Sequence, residues 1–490
     1  YAILLSHNRL DNLERLVIYH RAGGNPFFME QFTTYFMEEG LLDESAKISN
    51  KLSETLYFSI SDVINSRIDS FNKSMQECLY SASVLGMQFS VKVLAMMLNQ
   101  AIDVNLQNGL KHRLWFSLSE LQYTFSHLLL RDVIYHRMVS EKIASLHKSA
   151  AEALIKLHGG DAGPGSAEIA HHYENANDFE AAISHWRAAA DYSMEHGTWQ
   201  KAVACQRRAV ILSGRHYGFG SSGHIEELFW LALHYHYIQH YQKAEPIYLR
   251  VIKCRTEDLG ESSAQLSPYL NNLGRFYKDT ARYTQAEELL RKSLRIEHLQ
   301  CPRSSNVADR LNNLASLFAY KELLPKAMSY SRLSLKLFHE CNHGDKEYFV
   351  ALLQNNIASL CIRMNDLDKA EEYCVMALSA MVKLLAENSP NICHCYLNLY
   401  RIRLKHKQYD LAQKALDTAM QKFSFFFGKA NPEYARCLIY QGELHWESSD
   451  AASAKSAWQE ALEILRHTTA SNHPLMQKVM QNLARQNGEA

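Results

Sequence analysis

The sequence predicts a mainly all-α protein, in which a long stack of helix pairs follows a smaller helical domain carrying one short β hairpin. Three observations lead there. Alanine recurs as Ala202, Ala244, Ala286, Ala327, Ala370, Ala412 and Ala454, at intervals of 41 to 43 residues. Ahead of four of these stand segments of one pattern, LNNLGRFY (270–277), LNNLASLF (311–318), QNNIASLC (354–361) and YLNLYRIR (396–403). The residues before the series lack both features and break a helical pattern with a partly alternating stretch, LWFSLSELQYTF (114–125), of the kind a hairpin leaves.

In chain order, the first residue is Tyr1, inside the apolar run YAILL, and the chain is read as a piece of a longer protein. From Gly23 to Phe32 it reads GGNPFFMEQF, where two glycines and an Asn-Pro run into a helical pattern and suggest a backbone shaped to approach a ligand. Residues 59–98 place apolar side chains at helical spacing with one interruption, Leu85-Gly86, giving helix, turn, helix. After the hairpin the helical pattern resumes beyond Ser126. Helix, helix, small hairpin, helix predicts a winged-helix-like domain over 46–158, behind a first segment, 1–45. The glycine-rich LHGGDAGPGSAE (157–168) is the clearest linker. Residues 167–212 read as a helical bridge flowing into the first repeat at Trp199, so that 159–224 holds linker, bridge and first repeat, and 225–490 the stack.

Within each period, three residues before the alanine stand Trp199, Tyr241, Tyr283, Leu324, Leu367, Tyr409 and Ala451. Eight after it stand Val210, Ile252, Leu294, Leu335, Leu378, Met420 and Leu462. These three positions share one stripe of a helix, with a methyl group where a neighbouring helix must come close. Pro390, Pro432 and Pro474 fall 42 apart between units, where a missing N–H and a restricted preceding residue stop one helix and start the next. The residues resemble the tetratricopeptide repeat, a helix-turn-helix unit of about 34 residues, lengthened by about two helical turns as in kinesin light chains. The resemblance covers about 225–485. It implies a superhelix whose concave face binds a protein or peptide. Asn272, Asn313, Asn356 and Asn398 stand where first-helix asparagines of the family hold the backbone of an extended ligand. The row breaks at Tyr440, and the same amides serve equally to cross-link adjacent repeats or to cap local backbone.

The opening GGNPFF, the helix end at Val84-Leu85-Gly86 and FSHLLLR (125–131), followed by repeats, together resemble the C-terminal region of a STAND-class signalling ATPase over roughly 10–215. That class includes LuxR- and maltose-activator-type regulators and ATPase modules attached to nucleotidyl cyclases or Ser/Thr kinases. The resemblance implies signal transduction through an upstream nucleotide-binding domain that uses ATP or ADP with Mg, with 1–45 as the end of its helical subdomain. It places Pro26 of Gly24-Asn25-Pro26 on the adenine and His127 near the terminal phosphate. The plainer alternatives are a helix-entry proline and a buried, hydrogen-bonded histidine.

No GxxxxGK[ST] loop, whose amides and ammonium hold phosphates, occurs in the 490 residues. The chain is therefore expected neither to hold ADP tightly nor to hydrolyse ATP; no cofactor is expected in it and no catalytic residue is assigned. The G-x-G-x-x-G of 218–223 follows no strand and reads as a connector. His236 and His240 are spaced i, i+4 without an obvious third ligand, His171-His172 lacks the H-E-x-x-H order, and Cys393 and Cys395 point about 200° apart on a helix. No metal is assigned. Lys plus Arg equals Asp plus Glu at 52 each, so no global field favours nucleic acid or an acidic membrane. No uncharged apolar run reaches the roughly 18 residues of a spanning helix, and neither partner is expected. Ten scattered cysteines suit a reducing compartment, and a cytoplasmic location is expected. The rival reading is a plain adaptor resembling kinesin light chain, which predicts no phosphate-binding loop upstream. A third reading is an effector enzyme, such as an adenylate cyclase, joined upstream and governed by this region.

Overall fold

The computed structural model describes Met29 and residues 60–159, 163–196, 198–261, 263–341, 346–385, 389–468 and 474–486. Pro26 lies outside them. The chain divides into two compact units, 1–189 and 190–490.

In the front unit, helix α1 (Ile60–Ser70) stops where Asn72 Oδ1 accepts the Met75 N–H at 2.9 Å and caps α2 (Lys73–Leu85). The single helix expected before Leu85-Gly86 is thus two. Gly86, at φ 115°, turns the chain into β1 (Gln88–Ser90), followed by α3 (Val91–Leu98) and α4 (Asp103–Lys111). The expected hairpin is present as β2 (Trp115–Ser119) and β3 (Gln122–Phe125), and β1 extends it to an antiparallel sheet of order β1-β3-β2. The strand β1 and helix α4 were not expected. Three residues are too few to show alternation, and Gly109 in α4 reads as a breaker. Gly109 is needed because a Cβ there would lie 2.1 Å from the Trp115 indole, whose Nε1 donates to the Leu106 carbonyl at 3.0 Å. Trp115, Phe89 and Phe125 form the centre of this core. Helices α5 (Leu128–His136), α6 (Ser140–Leu157) and α7 (Ser166–Asn175) follow, and the boundary between units falls inside α8 (Phe179–Glu195).

The second unit is the expected stack. After α9 (Trp199–Tyr217) come the pairs α10 (Ser222–Tyr237) with α11 (Tyr241–Leu259), α12 (Ser267–Asp279) with α13 (Tyr283–Gln300), and α14 (Ser305–Tyr320) with α15 (Leu324–Glu340). Then follow α16 (Lys346–Arg363) with α17 (Leu367–Leu384), α18 (Pro390–Lys405) with α19 (Tyr409–Phe427), α20 (Pro432–Glu447) with α21 (Ala451–Thr468), and α22 (Pro474–Gln486). All seven periodic alanines are fully buried, at 0% exposure. A side chain larger than methyl there would separate neighbouring helices and lose the close packing that makes a core. One core cluster runs from Ile225 to Ile402, and the Val210, Ile252, Leu294, Leu335 and Leu378 row packs against it.

Each second helix begins three residues before its alanine. A repeated turn causes this. Gln239, Ala281, Glu322, Asn365, Lys407 and Ser449 all adopt left-handed φ between 58° and 64°. The next N–H folds back onto the first helix, as from His240 to the Tyr235 carbonyl at 2.8 Å and from Arg282 to the Tyr277 carbonyl at 2.8 Å. The proline register also holds, since Pro390 and Pro432 are first residues of α18 and α20.

Candidate functional site

Consecutive first helices touch one another (α10 with α12, α12 with α14, α16 with α18), and the second helices approach one another less closely. The first helices therefore line the inside of the curve. Their buried stripe meets the second helices; the stripe beside it carries the polar and aromatic side chains of a groove.

Asn272, Asn313, Asn356 and Asn398 share one register of this groove. Asn313 Nδ2 donates to Asn271 Oδ1 at 3.1 Å and to Asp309 Oδ2 at 3.2 Å. Asn356 Nδ2 donates to Asn312 Oδ1 at 3.1 Å. Asn398 Nδ2 donates to Asn355 Oδ1 at 2.8 Å and to the Asn355 carbonyl at 3.2 Å, and at 6% exposure its amide is engaged in joining repeats. Asn272, half-buried, donates to the Pro268 carbonyl of its own helix at 2.9 Å. A pattern emerges from the doublet: the first asparagine of Asn-Asn accepts, and the second of the next repeat donates. Asn271, Asn312 and Asn355 were not singled out in the sequence, although the doublet in LNNL and QNNI was the available signal.

The curve brings distant repeats together. Trp199, first residue of α9, stacks on Phe427, last of α19, with centroids 5.2 Å apart at 15°, and its ring lies 5.6 Å from that of Tyr237. Tyr237 is 59% exposed, yet burial among the groove walls pushes its phenol up, and Glu433 on α20 adds to the shift. Burial would lower Arg436, but Glu433 at 3.1 Å, with Tyr440 and Tyr320 adding, holds it above its usual value. Tyr237 on α10 and Tyr320 on α14 thus lie close enough to feel Glu433 and Arg436 on α20. Deeper in the wall, His236 Nε2 lies 3.0 Å from Asp279 Oδ2 and its Nδ1 3.3 Å from the Tyr248 hydroxyl. Burial would raise Asp279, but Lys278, His236 and Arg275 overcome it and hold the carboxyl well below the usual range.

The other sequence candidates resolve as local structure. His236 faces Asp279, and His240 is the N-cap residue of α11. Gly218 and Gly220 of the G-x-G-x-x-G segment take φ 93° and 90° in the turn between α9 and α10, where Ser221 Oγ accepts the His224 N–H. Cys393 and Cys395 are buried, with the thiols pushed up by burial. His172 is buried against His147, Nδ1 to Nδ1 at 2.8 Å. Among the described residues no group of three or more His, Cys, Asp or Glu is placed to hold a metal, and no helix is long and apolar enough to cross a membrane.

His127 follows β3 directly and is the N-cap of α5, its Nδ1 accepting the Leu129 N–H at 3.1 Å. That bond leaves the neutral ring's proton on Nε2. Arg131, one turn on, donates from Nε to the Ser83 carbonyl at 2.8 Å, tying α5 to the end of α2.

Residues 225–297 match a family model described as Tetratricopeptide repeat. No curated protein matches the sequence. Among solved structures, the chain is similar to a signal transduction ATPase with numerous domains (STAND) protein with a tetratricopeptide repeat sensor from Pyrococcus horikoshii. The TM-score is 0.58 at 11% identity, over 98% of this chain and 69% of that one. It is also similar to the Rap conjugation gene regulator of the plasmid pLS20 in complex with the Phr* peptide, with TM-score 0.50, 11% identity, and 83% and 98% of the two chains covered. A putative kinesin light chain with nearly identical TPR-like repeats from Podosopora anserina covers 49% of this chain and 95% of its own, at 15% identity and TM-score 0.25. At these identities the likeness to the first two is one of fold alone.

Proposed function

We propose that this chain is the partner-sensing part of a STAND-type signalling ATPase. A protein or peptide partner settles in the inner groove, and the front unit relays its presence to a nucleotide-binding domain joined upstream, itself linked to an effector such as a cyclase or kinase. One observation carries the reading. The inner helices present amides, tyrosines and guanidinium groups that the buried alanine stripe does not require for packing, inside a curve whose distant repeats meet at Trp199 and Phe427. In the front unit, the order helix, helix, strand, helix, helix, hairpin with a three-stranded sheet supports a winged-helix assignment. His127 supports the relay by its place, capping α5 directly after β3 at the sheet-to-helix junction. The described residues supply no phosphate-cradling loop, so no nucleotide chemistry is assigned to this chain.

Two experiments test the proposal. Twelve-residue random peptides displayed on phage are selected on the full 490-residue chain. The selected peptides should lose about tenfold or more in affinity when Tyr237 and Tyr320 are changed to alanine, but not with Leu333→Ala on the outer surface. Peptides indifferent to the inner tyrosines would remove the groove from the account. A clean preparation should also show no ATP turnover; turnover would overturn the division of labour.

A further inference from the structure

The charges inside the curve are not balanced as the whole chain is. Most inner-face charges have an opposite charge beside them. Asp279 meets Lys278 at 3.3 Å, Arg363 meets Glu322 at 2.7 Å, Glu433 meets Arg436 at 3.1 Å, and Glu443 meets Lys478 at 2.8 Å. Among the described residues three cations differ in that their hydrogen bonds go to neutral groups, although Arg275 also acts on Asp279 one turn along its helix. Arg275 Nη1 donates to Asn272 Oδ1 at 3.3 Å. Arg401 Nη1 donates to Ser359 Oγ at 3.1 Å and Asn398 Oδ1 at 3.3 Å. Lys405 Nζ donates to the Ile362 carbonyl at 3.2 Å and Asn365 Oδ1 at 3.0 Å. Arg275 and Arg401 occupy the same register three repeats apart, with Ser316 and Ser359 between them, each one helical turn beyond the asparagine row.

We propose, building on the groove as a binding site, that its occupant is a single extended acidic polypeptide segment, whose carboxylates pair with Arg275 and Arg401 while Tyr237 and Tyr320 cover its side chains. Two features select this class. The Trp199–Phe427 stack brings residues 228 positions apart into contact, so the curve turns back on itself, which favours an occupant that threads along its inside over a folded domain. A guanidinium presents paired N–H donors that match a carboxylate, and inside a groove the attraction is screened less than on an open surface. Lys405, on the same helix as Arg401, adds to the positive field without requiring a fixed geometry. A nucleic-acid strand fits less well, since Asp279, Glu433 and Glu443 stand in the same face and three cations are too few to track a phosphate backbone.

The test uses the full chain and three labelled probes: an alternating Glu-Ser twelve-mer, its Gln-Ser counterpart and a uridine twelve-mer, followed by fluorescence anisotropy at low and high salt. The acidic peptide should bind about tenfold tighter than the neutral one at low salt and lose most of that margin at high salt. Arg275→Ala with Arg401→Ala should abolish the margin, whereas Arg295→Ala on the outer helix α13 should leave it intact. Arg275→Gln with Arg401→Gln, which keeps a polar N–H donor at each position without the charge, should act like the alanine pair, and circular dichroism confirms that both variants fold. Equal binding of the two peptides would overturn the charge assignment while leaving the groove. Acidic binding unmoved by the double variant, or tighter binding of the uridine strand, would overturn the assignment as well. Failure of every probe to bind would remove both the assignment and the groove.

Discussion

Acidification should loosen the front unit through two imidazoles that the fold keeps neutral. His147 on α6 and His172 on α7 are 2% and 3% exposed, with their Nδ1 atoms 2.8 Å apart and His147 Nε2 3.0 Å from the Tyr135 hydroxyl. One ring donates and the other accepts, so the two cannot both be cationic without losing the bond, and burial disfavours even one charge. Burial pushes His147 down to about 3, with His172, His171 and Arg131 adding, and His172 down to about 4, with His171 adding. Both folded values lie below the ordinary value near 6.5. The stability they contribute is therefore full above that value and is lost as pH falls towards 4 and 3. At about pH 5 an unfolded imidazole is almost fully protonated and the folded one is not, which amounts to about 2 kcal/mol per ring. The two rings titrate as a pair, so together they should cost about 2–4 kcal/mol. Exchange of the imidazole C2 hydrogen, read by mass spectrometry against pH, reports each ring's midpoint. Both midpoints should fall below 5, and the protection of backbone amides across α6 and α7, taken relative to their intrinsic exchange rate at each pH, should fall between pH 7.5 and 5. Midpoints near 6.5 for both rings would refute the reasoning.

Three further outcomes follow from packing. Gly442→Ala should destabilise the last repeats by about 2 kcal/mol despite better helix propensity, because the added Cβ would lie 2.3 Å from Trp458 Nε1, which donates to the Ile439 carbonyl at 3.1 Å; urea unfolding measures it. Ala281→Gly and Lys407→Gly, at φ 60° and 58°, should each stabilise by about 0.5–1 kcal/mol, visible as a rise in the urea midpoint. Trp199→Ala should release the end of α19, speeding hydrogen exchange near Phe427 by roughly the five- to tenfold expected from about 1 kcal/mol of aromatic pairing.

The stack was legible because its packing rule is one-dimensional. Ala202 through Ala454 needed only a common spacing to reveal a shared helix face, and the residue three before each alanine marked the helix start. The turns behind those starts were not legible. Their left-handed positions hold Gln239, Ala281, Glu322, Asn365, Lys407 and Ser449, because the returning N–H bond and the packing of two helices impose the conformation whatever the side chain. In the front unit, β1 has three residues and exists only by pairing with β3, a long-range contact that local pattern cannot show. The bonding of the asparagine row was not legible. Asn272, Asn313, Asn356 and Asn398 were placed on the right helices, but their bonds to the asparagines of the preceding repeat depend on the offset between repeats. The Trp199–Phe427 contact depends on the curvature of the whole stack, which no single repeat encodes.

The most direct test of the inner groove is hydrogen exchange on the full chain with and without a phage-selected peptide at saturation. The account predicts slowed exchange over 267–279, 305–320, 346–363 and 390–405, with the second helices between them unchanged. Protection confined to the second helices, or spread evenly over both, would contradict it.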